Sequence, residues 1–133
     1  MQELTVHGRP VPAARMTQRG KFVKRQAIRY MSYKEKVGWT AKEAGIKKIE
    51  KEVKLTVTIF LAGGRAGDFD NYLKSISDSL NGIAYIDDQQ VKEGTIKICS
   101  CASKHDERAE ITIKELGGRQ YNERKLRKTS TKK

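Results

Sequence analysis

Residues 52–62, EVKLTVTIFLA, are the segment that most constrains the fold of this chain. Apolar and polar residues alternate through most of it before it becomes wholly apolar, which is the pattern of a β-strand with one buried face. This is the clearest strand in the sequence, and it predicts that the folded chain contains a sheet. The residues expected on the buried face are Val53, Leu55, Val57 and Ile59.

The segments on either side of this strand predict two helices. Residues 30–44 contain helix-forming residues, and Gly45 supplies a C-terminal stop. A second helix is predicted to begin near Asp70 and to end at Asn81 and Gly82. The first helix has apolar residues at Val37, Ala41 and Ala44, and the expected buried face of the second holds Leu73, Ile76, Leu80 and Ile83.

The remaining predicted strands complete one mixed sheet. The opening LTVHGRPVPAARMTQRGKFV predicts a short strand, a loop interrupted by proline, and a second strand near Lys21 to Val23. VKEGTIKICSCA at 91–102 and RAEITIKEL at 108–116 predict two more strands, and the polar SKHDE turn between them fits a hairpin. The order β-β-α-β-α-β-β predicts an α/β (α+β) domain with one mixed β-sheet packed by two helices.

Length and charge predict one domain with a basic tail. The chain has 133 residues, which suits a single core, and its formal net charge is +12. We predict a folded domain over residues 1–116 and a basic C-terminal tail over 117–133, which carries half of the excess charge. The tail and the basic opening segment suit a polyanion such as nucleic acid. A solubilising or disordered terminus explains the tail equally well.

Signals for cellular location are few. The sequence shows no signal-peptide pattern and no apolar run of membrane-spanning length, which favours a cytoplasmic protein with no membrane partner. Cys99 and Cys101 are spaced Cys-x-Cys in a predicted strand, which favours two free thiols over a disulfide or a zinc site.

The main functional signal is GDFDNYLKSISDSLNGIAYIDDQQV, residues 67–91, which holds five of the six aspartates of this basic chain. Each aspartate alone has an ordinary explanation as a helix cap, a favourable charge at a helix start, a turn residue or, for Asp78, a helical partner of Lys74. The set is harder to explain in this way, because its spacing can bring the two ends of the stretch together.

The predicted geometry suggests that the carboxylates converge. A helix over residues 70–80 advances about 15 Å, and an extended return over residues 82–87 covers roughly 17 Å. Asp87 and Asp88 can thereby arrive beside Asp68 and Asp70. Converging carboxylates repel one another unless a cation neutralises them, and hard oxygen ligands suit Mg²⁺ or Mn²⁺. One ion, or a pair about 4 Å apart, would support hydrolysis of a phosphodiester.

Two further side chains belong to this pattern. Lys74 lies one helical turn after Asp70, where it could contact a scissile phosphate or form a salt bridge with Asp70 or Asp78. Asn71 could be a metal ligand, a phosphate contact or a residue of the first helical turn. The spacing alone leaves these alternatives open.

The stretch resembles the RusA-type Holliday-junction resolvases, whose pattern is Asp-x-Asp-Asn-x-x-Lys followed by an Asp-Asp pair and a strand. Here the pattern reads DFDNYLK, then SDSLNG, then YIDDQQV. GRPVPAARMTQRGKF is similar to the Pro- and Arg-containing N-terminal segment of the family, and the strand order also agrees. The likeness covers most of residues 4–116.

The resemblance implies a homodimeric, metal-dependent endonuclease that makes paired, symmetrical cuts in four-way junction DNA during recombination and repair. It carries metal-binding and catalytic roles to Asp68, Asp70 and Asp88, places Asp87 beside them, and makes Lys74 an essential base near the phosphate. Asp78 matches a common family position and is expected to be supporting. Members of the family are frequent in prophages, so the resemblance makes such an origin plausible.

The chain departs from the family pattern at two places. Gly67 stands before the first motif aspartate, where a basic residue can occur, and Arg65 could substitute from the same loop. The strongly basic tail is also not part of the pattern. The side chains expected to contact DNA are Arg15, Arg19, Lys21, Arg65, Asn71 and Lys74.

Two other functions compete with this interpretation. Phosphatases similar to the haloacid dehalogenases also use Asp-x-Asp, but their motif directly follows an apolar strand, whereas GGRAG intervenes here. A basic protein with the resolvase fold could instead bind branched DNA without cutting it. All the acidic positions of the family are filled in this chain, which favours a catalyst.

Overall fold

The computed structural model describes residues 1–14, 25–64, 66–118 and 120. Within these residues lie four strands and two α-helices, and their order agrees with the sequence prediction. The predicted strand near Lys21 to Val23 and most of the predicted tail lie outside the described residues. The elements are β1 (Gln2–His7), α1 (Arg25–Glu43), β2 (Glu52–Leu61), α2 (Phe69–Ser79), β3 (Val91–Ser100) and β4 (Arg108–Gly117).

The described strands form one mixed sheet in the order β1-β4-β2-β3. β4 runs antiparallel to both β1 and β2, whereas β2 and β3 are parallel. The parallel pair is connected through α2, as a crossover requires. An α+β domain with one mixed sheet and two helices is therefore confirmed.

The hairpin predicted between the last two strands is wrong. β4 lies between β1 and β2, and β3 pairs with the opposite edge of β2. The burial of the two strands gives the physical reason. Ala109, Ile111 and Ile113 of β4 are almost completely buried, which requires a position inside the sheet, whereas most residues of β3 are exposed. A strand that carries Lys92 and Lys97 is better placed at an edge.

The core lies on one face of the sheet, beneath the two helices. The predicted buried face of β2 is confirmed, since Val53, Leu55, Val57 and Ile59 have no exposed surface. In α1, Val37 and Ala41 join this core, whereas Ala44 lies one residue beyond the end of the helix and is exposed.

Gly45 stops α1 as predicted. Its φ is +74°, its N–H donates to the Lys42 carbonyl, and the N–H of Ile46 donates to the Ala41 carbonyl. These two bonds form a Schellman motif, in which glycine takes the left-handed conformation at little steric cost. Ile46 also packs against the core, so the same turn directs the chain toward β2.

α2 packs its predicted face onto the sheet. Ile76 and Leu80 are buried, and Leu73 and Ile83 are partly buried against the same core. Leu73 lies over Gly94 of β3, where an added Cβ would be 2.9 Å from the Leu73 Cδ2. The missing side chain at Gly94 therefore lets α2 approach the sheet edge closely. Among the described residues, no helix is long and apolar enough to cross a membrane.

Candidate active site

The first half of the site lies at the start of α2. Asp68 is the N-cap residue, and its backbone carbonyl accepts hydrogen bonds from the N–H groups of Asn71 and Tyr72. Its side chain makes no capping bond, so capping does not explain the Asp68 carboxylate. Asp70 lies in the first turn, and both aspartates are exposed. Two carboxylates at a helix N-terminus are favourably placed against the helix dipole.

The loop after β1 holds this helix start in place. The Ala13 N–H donates to the Asn71 carbonyl at 2.8 Å, and the Gly67 N–H donates to the Tyr72 hydroxyl at 3.1 Å. A Cβ at Gly67 would lie 2.9 Å from the Pro12 Cγ. This contact gives a structural reason for glycine at a position where the family pattern can have a basic residue.

An open groove runs between this loop and the first turn of α1. Arg29 of α1 and Asp68, the first motif aspartate, both line this groove, and Arg29 is not among the side chains that the sequence predicts to contact DNA. The groove is lined by residues that include Pro12, Ala13, Gln26, Arg29, Asp68 and Asn71.

A partly buried ion pair, Arg9–Glu107, anchors the start of the same loop to the end of β2. The Glu107 carboxylate accepts hydrogen bonds from the Ala62 N–H at 3.0 Å and from Arg9, which also donates to the Gly63 carbonyl. The Ala62 amide and the Arg9 charge lower the pKa of Glu107, although burial opposes them. This anchor fixes the path of the chain before Pro12.

Lys74 occupies the middle of the acidic face of α2. Asp70, Lys74 and Asp78 are spaced four residues apart and therefore share one side of the helix. Among the described residues the ion pairs are Arg9–Glu107 and Arg108–Glu110, so the helical salt bridge that could explain Lys74 is not formed. Lys74 is exposed between two carboxylates, in a position from which it can reach a bound anion.

The second half of the site lies at the far end of α2. The side chain of Asp87 caps a short 3-10 turn, Asp88–Gln90, and accepts a hydrogen bond from the Gln89 N–H at 3.1 Å. The hydrogen bond with the Asp87 carboxylate, partial burial, and the nearby Asp78 raise the pKa of Asp88 to about 6. Asp78 in turn accepts a hydrogen bond from the Tyr30 hydroxyl at 2.9 Å.

The extended return predicted between Gly82 and Asp87 is wrong. Residues 82–84 form a turn, with Gly82 at a φ of +77°, and Tyr85 bridges to both Asn81 and Ile49. The Tyr85 hydroxyl donates to the Ser77 carbonyl at 2.6 Å, which holds the segment against the end of α2. The chain therefore stays near the helix end and does not run back along the helix.

As a result, the two pairs of aspartates do not meet in one chain. Asp88 contacts Asp78, which lies eight residues after Asp70 and so about 12 Å further along the helix. No group of three or more His, Cys, Asp or Glu side chains within the described segments is arranged to hold a metal ion. The site thus consists of an N-terminal half, Asp68 and Asp70, and a C-terminal half, Asp78, Asp87 and Asp88, with Lys74 between them.

Sequence reasoning placed the motif residues on the correct elements but missed several of their partners. No local pattern predicts the contact of Asp78 with Asp88, because Asp88 lies outside the helix that carries Asp78. The Asp87-x-x-Gln90 spacing of a capping box is a local signal for part of the role of Gln90. No local signal points to Tyr30, or to the bonds of Gln90 with Ile49 and Lys51, because these partners are distant in sequence. Four predicted DNA contacts, Arg15, Arg19, Lys21 and Arg65, lie outside the described residues.

An α+β domain that sets carboxylates and a lysine along one helix of a basic chain is suited to a protein that handles phosphodiesters. A family profile described as Endodeoxyribonuclease RusA matches residues 7–114, which is most of the chain. The chain therefore belongs to the RusA endodeoxyribonuclease family, as its motifs predicted. Membership supports a nuclease that acts on junction DNA. A comparison with curated proteins found no significant match.

Proposed function

We propose that this protein is a metal-dependent endonuclease that resolves four-way DNA junctions by paired, symmetrical cuts. The observation that carries the proposal is the acidic face of α2 in a chain of the RusA family. On this face Lys74 lies between two groups of carboxylates and forms no ion pair with any residue that the structure describes. A formal charge of +12 on the whole chain is suited to a polyanionic substrate.

Mg²⁺ or Mn²⁺ is the proposed cofactor, and Asp68, Asp70, Asp87 and Asp88 are its proposed ligands. The chemistry of these donors fits, because all four are carboxylates and both ions prefer hard oxygen ligands. Crowding at Asp88 is a second point of fit. The hydrogen bond with Asp87, partial burial and the nearby Asp78 raise the pKa of this carboxyl, and a bound cation would favour its charged form. When bound, such an ion supplies a nucleophile at neutral pH and stabilises charge on the phosphate oxygens.

The remaining roles belong to side chains of the protein. Lys74 is placed to offset the negative charge that develops on the scissile phosphate. Such stabilisation is most effective when the cation is already in position before the reaction begins. Asn71 lines the groove beside Asp68 and can contact the bound strand. We assign phosphate contacts to Arg15, Arg19, Lys21 and Arg65, and we add Arg29 from the groove.

A homodimer is proposed for two reasons. Resolution needs two cuts on opposing strands, and a two-fold enzyme matches the two-fold junction. In addition, the two halves of the site are about 12 Å apart along α2, which is too far for ligands of one ion. A two-fold axis can set two copies of α2 antiparallel, so that the helix start of one chain lies beside the helix end of the other. We propose that each complete site forms in this way.

The first experiment tests the activity itself. Purified protein is incubated with a labelled mobile four-way junction and Mg²⁺, Mn²⁺ or chelator, and nicks are resolved on denaturing gels. The expected result is paired cutting that requires the metal and is lost in Asp70→Asn, while native gels still show junction binding. Junction binding without cuts under either metal would refute the proposal in favour of a binding protein for branched DNA.

A second experiment tests whether the site is shared. Asp70→Asn and Asp88→Asn are each inactive as homodimers on this proposal. A heterodimer of the two variants, formed by co-expression, retains one site with all its carboxylates if the halves come from different chains. We expect single nicks from this heterodimer. If the wild type cuts and the heterodimer does not, the shared site is wrong while the endonuclease activity stands.

A further inference from the structure

The side chain of Gln90 is buried beside the acidic pair, Asp87 and Asp88. It is only 3% exposed, and its amide uses all four of its hydrogen-bonding positions. The oxygen accepts from the N–H groups of Ile86 at 2.7 Å and Asp87 at 3.0 Å. The nitrogen donates to the carbonyls of Ile49 at 2.7 Å and Lys51 at 2.9 Å.

These bonds join two parts of the chain that are distant in sequence. Ile49 and Lys51 lie in the segment that leads into β2, about forty residues before the acidic pair. The other two bonds go to the backbone that carries Asp87. The amide of Gln90 therefore ties the acidic pair to the base of the sheet, where β2 begins.

Local bonds complete the restraint. The Gln90 N–H donates to the Asp87 carbonyl at 3.0 Å, and the Asp87 side chain caps the same short turn. The backbone on both sides of Asp88 is thus fixed by bonds that end on Gln90. Adjacent residues on such a segment point in different directions, so a change in this backbone would alter which carboxylate faces the site.

We propose that Gln90 is a positioning residue for the metal site, one that sets the orientation of the Asp87 and Asp88 carboxylates without touching metal or DNA. The inference rests on the function proposed above. Groups that orient metal ligands in this way typically change metal affinity or activity by 10–100-fold when they are replaced. A role in stability alone would not require the buried amide to form hydrogen bonds with the segment that carries the proposed ligands.

The chain provides a matched control in the neighbouring Gln89. This residue has the same side chain and lies in the same turn, but it is exposed, and its side chain makes no hydrogen bond among those found in the described structure. Gln90→Met retains the length and shape of the side chain but removes all four bonds. Gln89→Met makes the same chemical change at a position where no such bonds exist.

The test measures metal dependence separately from folding. Circular dichroism first identifies a temperature at which each variant is fully folded, and junction binding is measured in chelator. For Gln90→Met we expect unchanged junction binding, and a Mg²⁺ concentration for half-maximal cleavage that is at least 10-fold higher than in the wild type. Mn²⁺ binding without DNA, followed by water-proton relaxation, should weaken by a similar factor. Gln89→Met should match the wild type in both assays.

Several outcomes would overturn the inference. Cleavage by Gln90→Met at wild-type Mg²⁺ concentrations, or a loss only in proportion to the unfolded fraction, would make Gln90 a structural residue and nothing more. If Gln90→Met does not fold, Gln90→Asn is measured instead, because it keeps the amide group on a side chain that is shorter by one methylene. Absence of metal-dependent cutting by the wild type would instead refute the proposed function.

Discussion

Replacing Asp88 by asparagine should stabilise the folded protein at neutral pH. The pKa of this carboxyl is raised from 3.8 to about 6, first by the bond with Asp87, then by burial and Asp78. At about 1.36 kcal/mol for each pH unit, the charged form costs the folded state at most about 3 kcal/mol at pH 7. Because Asp88 is only partly buried, screening by solvent reduces this to roughly 1 kcal/mol.

The sign of the pH dependence follows from the same shift. Between pH 3.8 and about 6 the folded protein binds more protons at Asp88 than the unfolded chain, so this carboxyl makes the folded state less stable as pH rises. Asp88→Asn should therefore exceed the wild type in stability at pH 7 and lose this advantage near pH 4. An asparagine amide can also donate to the neighbouring carboxylates.

Thermal and urea unfolding at pH 7 and pH 4, in chelator, would measure the effect. A gain of about 1 kcal/mol should raise Tm by roughly 3–5 °C for a chain of this length. Asp106→Asn is the control, because it removes the same charge from an exposed turn and should change stability by less than about 0.5 kcal/mol. A less stable Asp88→Asn at pH 7, or a gain that persists unchanged at pH 4, would refute the reasoning.

Three other perturbations test different parts of the structure. Lys74→Met should lower the cleavage rate by about 10²-fold and leave Tm unchanged, because Lys74 is exposed and forms no ion pair within the described part of the chain; equal rates in single-turnover cleavage would contradict its role. Gly94→Ala should destabilise the fold by about 1 kcal/mol in urea unfolding, because the new Cβ would meet Leu73 at 2.9 Å; an unchanged midpoint would show that Leu73 moves easily. Glu107→Gln should be less stable than the wild type at pH 7, because the Ala62 amide favours the charged form of Glu107 and lowers its pKa. The difference in stability should shrink as pH falls through this lowered pKa. A difference in Tm that stays constant from pH 7 to pH 3 would contradict this reasoning.

The proposed metal site predicts a weak point of the fold at Asp88. If Asp88 binds a cation, the neighbouring carboxylates repel one another in its absence, so activity and stability favour different residues at this position. Removing metal from the wild type should therefore lower its Tm, while Asp88→Asn should respond less. Melting curves with and without Mg²⁺ would compare the two proteins directly.

Local patterns in the sequence were sufficient for the elements and for the buried faces of most of them. Alternation along β2 placed Val53 and Ile59 in the core, and Gly45 marked the end of α1. The motif DFDNYLK likewise located Asp70 and Lys74 on one helical face. Each of these properties depends on residues only a few positions apart, so the periodicity of a strand or helix reveals it.

The tertiary structure alone decided how these parts combine. Whether β4 pairs with β3 or inserts beside β2 depends on which strand buries more apolar surface, and this is a comparison across the whole domain. The path after Gly82 was set by Tyr85 and Gln90, whose partners include Ile49, about forty residues away. Hydrogen bonds over such separations leave no periodic trace in the sequence, so the family motif identified the aspartates while only the fold showed that they form two halves.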